Sequence, residues 1–550
     1  MGLIVLVALF WMIQSSVQTT AVGAYSISNM PIPETSRADS PHLYHPSVNV
    51  TEVLTSFAPA FQAVVWSVDA TTSLTSQNTK GASYLPVVYR ASAQQTGQTD
   101  PPPLCRFGVN ATGALAPLPL KDLRVGWYVN YRASSSPERP GGIEYLPIIR
   151  LTQTGTDSYS YLPQETELIQ AIVANPGTGW LIGNEPDRRI YQDDITPDVY
   201  AQAYHKLHEL IKSTDPTAQI FAGSIVQPTP VRLKYLDMVL SAYRNRYGTL
   251  MPVDGWSIHN FILNEASCEH FPASQCWGAD IPPGVDDKEG LRLDVQDNDN
   301  FTLFQEQIER FRRWMTDKGY GGLPVYLSEY GVLMPAGYGF QPDFTADRVN
   351  AFMDKTFDYM LTTTDPIHGN PNDGHRLIQR FSWYSTTDTT YNGRLFDPGT
   401  SGPTDIGNNY ADYTKSLSAT VDFYPSRIFS YPSGPSSQSE PITLTLKATI
   451  ANSGNTLSAY QVRIQFYGGD PSTDGRQIGV DQTMTLTGCG DNQTAQVEWA
   501  NVPPGSHPIY VRVEAVDTMT PEPETAKSNN TRSQIILVGA KGVFMPIISR

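Results

Sequence analysis

Residues Gly179–Asp187 read GWLIGNEPD: a short apolar, strand-prone run, a glycine, then a carboxylate, Glu185, where a buried strand should surface. Runs of this kind recur. Eight of them alternate with helical patterns, at Cys105–Val109, Leu123–Asn130, Gly142–Arg150, Gly179–Gly183, Gln219–Ile225, Val253–Phe261, Leu323–Ser328 and Leu377–Tyr384. The segments between them carry apolar residues three or four apart: Tyr200, Ala203, Tyr204, Leu207 and Ile211 behind a Thr196 cap, then Leu233, Leu236, Leu240 and Tyr243, then Phe304, Ile308, Phe311 and Met315, then Val349, Met353 and Met360. Strands alternating with helices in this number predict an α/β fold, a (β/α)8 TIM barrel rather than an open sheet. Pro117 and Pro119 interrupt the first crossover, so the first unit is expected to be degenerate.

The bulk composition narrows the partners. With 38 basic against 54 acidic residues the 550-residue chain carries a net charge of −16, which gives no electrostatic grip on a phosphate backbone, so nucleic acid is excluded as a partner. Aromatic residues reach 11% while charged ones are 17%, a balance suited to a neutral carbohydrate held by ring faces and hydrogen bonds. The apolar run Leu3–Ile13 is too short to span a bilayer and reads as a signal-peptide core, with Ala21, Gly23 and Ala24 as a cleavage site, although no basic residue precedes Arg37. The expected layout is a signal peptide at 1–24, a low-complexity leader at 25–100, the barrel at 101–424, a linker at 425–440 marked by the stretch SYPSGPSSQSEP that begins at Ser430, a β-sandwich at 441–540, and a tail at 541–550. Six alternating runs, Ile442–Ile450, Gln461–Phe466, Thr483–Leu486, Gln496–Trp499, Ile509–Ala515 and Ser533–Val538, predict that the second domain is all-β and immunoglobulin-like.

The chemistry concentrates at the strand tips, where a barrel carries its functional residues. Glu185 ends the fourth strand, and Glu329, in SEYG, ends the seventh. Two carboxylates across a barrel mouth are what glycoside hydrolysis needs: one acid to protonate the leaving oxygen and one nucleophile, roughly 5–5.5 Å apart in a retaining enzyme. Glu185 is expected to carry the proton and Glu329 to be ionised. Asn184 is placed to donate to a sugar hydroxyl, and His259, in WSIHNF, to bond Glu329 or a substrate hydroxyl, a rim histidine satisfied by backbone being its equal alternative. Trp127, Tyr128 and Tyr131 on the second strand, with Trp383 and Tyr384 on the eighth, are candidates for sugar stacking, core packing being the alternative for each. Arg150 is expected to orient a carboxylate or grip a substrate oxygen, with a structural ion pair to Asp187 as its alternative. No CxxC pair, HExxH helix or GxSxG elbow occurs, so neither a metal, a cofactor nor a serine triad is expected. Cys268 and Cys276 are close enough to close a small disulfide loop, whereas Cys105 and Cys489 fall in different expected domains.

GWYVNY (126–131), EYLPIIRL (144–151), LIGNEPD (181–187), VDGWSIHNF (253–261) and PVYLSEYG (324–331) follow, in order, the strand motifs of glycoside hydrolase family 128, a group of β-1,3-glucanases. The chain resembles that family over roughly residues 105–400. The resemblance implies Glu185 as acid/base, Glu329 as nucleophile and Asn184 as the assisting contact. Tyr131 stands where the family has Trp, Asn260 and Phe261 replace Trp-Tyr after the histidine, and the segment with Cys268 and Cys276 is an insertion, so the bond class carries over better than the sugar. The C-terminal part resembles the bacterial CARDB adhesion module, with IANSGNT from Ile450 and SNNT from Ser528; such a module implies attachment or spacing outside the cell, and the terminal FMPIISR from Phe544 reads as a cell-envelope sorting tail, with an edge strand stopped by Pro546 as its alternative. The motifs thus imply a secreted retaining β-glycosidase. The competing expectation is a non-catalytic extracellular glycan-binding or adhesion protein on the same barrel, and the presence of both carboxylates weighs against it.

Overall fold

The first strand, β1 (Phe107–Asn110), follows a one-turn helix, Pro103–Arg106, that takes in Cys105, so the expected strand starts two residues late. The computed structural model describes residues 103–272, 275–337, 339–432, 440–516 and 523–539; the signal-peptide, leader and tail expectations at 1–24, 25–100 and 541–550 lie outside them. The barrel continues with β2 (Trp127–Val129), β3 (Glu144–Tyr145), β4 (Ile148–Gly155), β6 (Gly179–Ile182), β7 (Gln219–Ile225), β8 (Gly255–His259), β9 (Val325–Tyr330) and β10 (Arg380–Trp383), while β5 (Ser158–Leu162) folds back antiparallel on β4. The hydrogen-bonded order is β3-β2-β1-β10-β9-β8-β7-β6-β4-β5, and every barrel pairing is parallel.

The two ends of that ladder meet at Pro147. β3 and β4 are halves of one strand, split because proline has no N–H to give a ladder. Before the break, Leu146 N donates to Tyr128 O at 3.0 Å; after it, Leu181 N donates to the Pro147 carbonyl at 3.0 Å. One segment therefore pairs with β2 on one side and β6 on the other, which closes an eight-stranded barrel. As expected, the first crossover is reduced to the one-turn helix Leu120–Leu123. The later helices bury the expected faces: Tyr200, Ala203, Tyr204, Leu207 and Ile211 are fully buried, as are Phe304, Ile308, Phe311 and Met315. Thr196 stands at its helix start without capping it; its hydroxyl donates to Gln153 Oε1 at 3.1 Å, and Pro197 begins the helix. Among the described residues no helix is long and apolar enough to cross a membrane.

Among the described residues the sandwich has seven strands rather than six: β11 (Phe423–Tyr431), β12 (Ile442–Asn452), β13 (Tyr460–Gly468), β14 (Arg476–Leu486), β15 (Asp491–Val502), β16 (Gly505–Ala515) and β17 (Thr531–Val538). They form a sheet β11-β12-β15 facing a sheet β14-β13-β16-β17. The added strand occupies the first part of the expected linker. Pro425 within it and Pro432 just after it hid the strand, and Pro425 is tolerated because β11 is an edge strand with an irregular register beside that residue.

Barrel and sandwich belong to one compact unit and are covalently joined. Cys105 and Cys489, left apart in the sequence reading, form a disulfide. The junction is tight: a Cβ on Gly126 would lie 2.9 Å from Cys105 Cα and 3.3 Å from Cys489 Sγ, and one on Gly142 would lie 2.9 Å from Thr487 Oγ1. Cys105, Gly126 and Gly142 each precede a barrel strand, so the sandwich is docked on the N-terminal end of the barrel, opposite the mouth. Breaking the bridge by Cys105→Ser is expected to cost about 2–4 kcal/mol and to split one calorimetric unfolding transition into two; a single unshifted transition would show that the bridge adds nothing to the noncovalent junction.

Candidate active site

The strand β6 is buried on both sides and ends at Ile182; the chain then turns sharply through Gly183 (φ +89°) and Glu185 (φ +45°). A left-handed glutamate is rare, and such strain persists only where surroundings hold it. Here Glu185 N donates to Ser224 O at 2.9 Å, and Asn184 N donates to the buried Asp193 Oδ2 at 2.7 Å. Asp187 adds a second brace, since its carboxylate takes Arg232 Nη1 at 2.6 Å and Arg232 Nε in turn reaches Glu265 at 2.7 Å, all three side chains being fully buried.

The Glu185 and Glu329 side chains converge on His259, which lies between them at the tip of β8. Its Nδ1 is 3.0 Å from Glu185 Oε1, and its Nε2 is 3.3 Å from Glu329 Oε1. The first contact is an aligned hydrogen bond; the second is an ion-pair distance whose N–H direction misses alignment. Arg188 Nη1 lies 3.2 Å from the other Glu185 oxygen. The two carboxylates are 2% and 5% exposed and the imidazole is wholly buried.

Other expected residues divide into those that join this group and those that do not. Tyr131, left-handed at φ +60°, lies against Glu329 and donates to Asn110 Oδ1 at 2.9 Å. Arg150 is electrostatically coupled to both glutamates, and its ion pair is with Asp193 at 2.6 Å rather than with Asp187, which Arg232 occupies. Asn184 donates its amide to Gln192 Oε1 at 3.2 Å and keeps a buried oxygen without a protein partner. Cys268 and Cys276 form a disulfide.

Two tryptophans are misplaced by the sequence reading. Trp127 is fully buried in the barrel interior with Val129, Leu146, Ile148, Leu181, Phe221 and Tyr326, and its Nε1 donates to Arg106 O at 3.0 Å, so it is core and not a sugar platform. Trp383 is fully buried in the layer between barrel and helices, edge-on to Tyr330, with Nε1 donating to Gly393 O at 2.8 Å. Strand parity is the reason: Ser382 points into the barrel and bonds Asn110, so Trp383 must point out. The next residue, Tyr384, is the aromatic at this strand end that comes near Glu329, as Tyr131 does from the second strand. Arg188, Asn110, Gln192 and Asp193 are residues of the site that motif reading missed; the only signal was Arg188 three positions after Glu185.

No family model matches the chain, and no curated protein matches it. Solved structures do. A family 128 subgroup II endo-β-1,3-glucanase from Sorangium cellulosum is 16% identical, covering 56% of this chain and 98% of its own with a TM-score of 0.35. A family 128 subgroup VII oligosaccharide-binding protein from Trichoderma gamsii is 10% identical, covering 58% and 97% with a TM-score of 0.36. A CARDB domain from Pyrococcus furiosus, solved with di-metal ions, is 13% identical, covering 22% and 88% with a TM-score of 0.16. The fold described above rests on strand order and barrel closure.

Charge is distributed unevenly within the site. Burial raises the proton affinity of both carboxyls, but the Arg188 guanidinium and the His259 hydrogen bond outweigh it at Glu185 and hold that group at about 2. Glu329 has weaker compensation; burial pushes it up to about 7, with His259 opposing and Glu185 reinforcing the rise. Burial alone would lower His259, yet the two carboxylates beside it raise it above the ordinary histidine value. These neighbours thus favour the order opposite to the expected one: Glu185 is pulled toward its ionised form and Glu329 toward its protonated form. Glu185, His259 and Glu329 also have the spacing of a metal site, a ligand-type atom of each lying within 4.8 Å of the others. Their donors do not suit one. Both ring nitrogens of His259 face carboxylates, and Arg188 already supplies the positive charge that a cation would bring.

Proposed function

We propose that the protein is a retaining glycoside hydrolase acting on β-glycosidic bonds of an oligo- or polysaccharide, with Glu329 as nucleophile and Glu185 as acid/base. The observation that carries this reading is the approach of carboxylate oxygens from Glu185 and Glu329 to within 4.8 Å at the mouth of a barrel, a close pair with no room for a water between carboxylate and sugar. Glu329 attacks the anomeric carbon while the leaving oxygen takes a proton from Glu185; the glycosyl-enzyme ester then forms, and Glu185, now a base, activates water to release the sugar with retained configuration. Arg188 holds Glu185 ionised at rest, so the acid needs a proton source. His259 Nδ1, 3.0 Å away, is that source: the imidazolium gives its Nδ1 proton to Glu185 Oε1 and keeps its Nε2 proton toward the Glu329 carboxylate.

The reading fits an oxidising location outside the cell, supported by the signal-like run Leu3–Ile13 and by two disulfides among the described residues. The primary test is release of reducing sugar from a panel of β-glucans and other glycans, with the anomeric configuration of the first product followed by NMR. Turnover with retention supports the proposal. Binding without turnover on every glycan would favour the adhesion reading, and an inverted first product would remove Glu329 as nucleophile.

The pH profile has a definite sign. Glu329 must be ionised to attack and its proton affinity is raised to about 7, so kcat/KM is expected to climb as pH rises through about 7. It should fall again at higher pH as His259 loses the proton that Glu185 needs. An acid limb at the value of an ordinary glutamate would contradict the placement of that proton.

A further inference from the structure

Beneath Glu329 the barrel interior contains a polar chain that neither the fold nor the two-carboxylate reading requires. Asn110, at the end of β1 and fully buried, spends its amide nitrogen on Ser328 O at 3.0 Å, Ser382 Oγ at 2.9 Å and Ser382 O at 3.3 Å. Two of these acceptors are backbone carbonyls, which fixes the amide orientation and leaves Oδ1 facing the Tyr131 hydroxyl at 2.9 Å. Ser328, whose carbonyl is held, immediately precedes Glu329, and its hydroxyl is 2.7 Å from Ser257 Oγ on β8. The same Tyr131 hydroxyl lies beside the Glu329 carboxyl.

A phenol has one proton and here two acceptors. While it donates to Asn110 Oδ1, it offers Glu329 only lone pairs, an arrangement that favours a protonated or esterified carboxyl over a charged one. When Glu329 is a carboxylate, the proton is better used there, and Asn110 Oδ1 is left with no donor in a buried place. We propose that Asn110 is a positioning residue that competes with Glu329 for the Tyr131 proton, so that the phenol turns to the carboxylate when Glu329 is charged and returns to Asn110 when the ester forms. The catalytic meaning of this inference rests on Glu329 being the nucleophile, but the competition itself does not. The other titratable groups facing Glu329 are His259 on β8, Glu185 after β6, Arg150 on β4 and Tyr384 after β10. None of them contacts Asn110 by a described hydrogen bond.

The experiment is a titration that does not need turnover. The infrared band of the protonated Glu329 carboxyl, identified by its loss in Glu329→Gln, is followed with pH in the wild type, Asn110→Ala, Tyr131→Phe and the double variant. Removing Asn110 frees the phenol for Glu329, so the midpoint should fall by about one pH unit, the effect of one hydrogen bond gained by a carboxylate. In the Tyr131→Phe background the same substitution should shift nothing. Should Asn110→Ala fail to fold, Asn110→Ser retains a polar group while withdrawing the acceptor from Tyr131. An unchanged midpoint, or the same shift with and without the phenol, overturns the proposal. If no glycan is hydrolysed by the wild type but the midpoints behave as stated, the functional reading falls and the competition stands.

Discussion

Glu329→Gln is expected to abolish hydrolysis, with kcat/KM falling by about ten-thousand-fold or more on every substrate. The amide is nearly isosteric and cannot form the glycosyl ester, so no leaving group rescues it. Glu185→Gln should behave differently. It loses the acid, worth about a hundred- to ten-thousand-fold, on glycans whose leaving oxygen needs a proton, but bond cleavage with an activated aryl leaving group should survive, and hydrolysis of the ester should become the slow step. Burst kinetics with an activated aryl glycoside separate the two. Equal losses on both substrate types for Glu185→Gln, or an active Glu329→Gln protein, would exchange or dismiss the roles. The resting charges make this worth testing, because Arg188 holds Glu185 ionised and burial pushes Glu329 toward protonation.

His259→Asn is the second large effect. Without the imidazolium, Glu185 has no adjacent proton donor, so hydrolysis of unactivated glycans should fall about a hundredfold or more while activated aryl glycosides lose much less. Two carboxylates within 4.8 Å of one another would then face each other unbridged. Their repulsion already contributes to the raised proton affinity of Glu329; what the substitution removes is the opposing attraction of the imidazolium, so the acid limb should move to higher pH. Stability should follow as well. His259 gains proton affinity on folding, so its ion pairs stabilise the fold fully below about pH 6.5, the unfolded histidine value, and that contribution is lost as pH rises through the higher folded value. Melting curves across pH should therefore show the variant most destabilised in acid and converging toward the wild type in alkali. A constant difference in Tm, with an unmoved acid limb, would mean that His259 only fills space.

The parts of the site that sequence exposed are those written at strand tips. Glu185 and Glu329 each follow a short apolar run, and counting runs places them on the fourth and seventh strands without knowing a single contact. What the count lacks is parity. Trp127 and Trp383 sit at the expected positions, but whether a side chain on a four-residue strand points into the barrel, at the helices or to the rim depends on register, which Ser382 and Asn110 reveal only through their hydrogen bond. Asn110 itself looks like any polar residue closing a strand. The Cys105–Cys489 bridge spans a sequence separation of 384 and follows from how two domains dock, which neither domain's pattern contains. β11 was concealed by the local rule that prolines punctuate strands, a rule an edge strand escapes at Pro425.

The docking of the sandwich at the N-terminal end of the barrel gives the molecule a direction. A protein tethered through the far end of the sandwich would stand with its mouth outward, and the Cys105–Cys489 bridge with the glycine contacts beside it would prevent the barrel from swivelling back. Such a protein would present the mouth to the surroundings and not to the surface that holds it. Under reducing conditions the Cys105–Cys489 bridge would open, and only the noncovalent junction would keep the barrel in that direction.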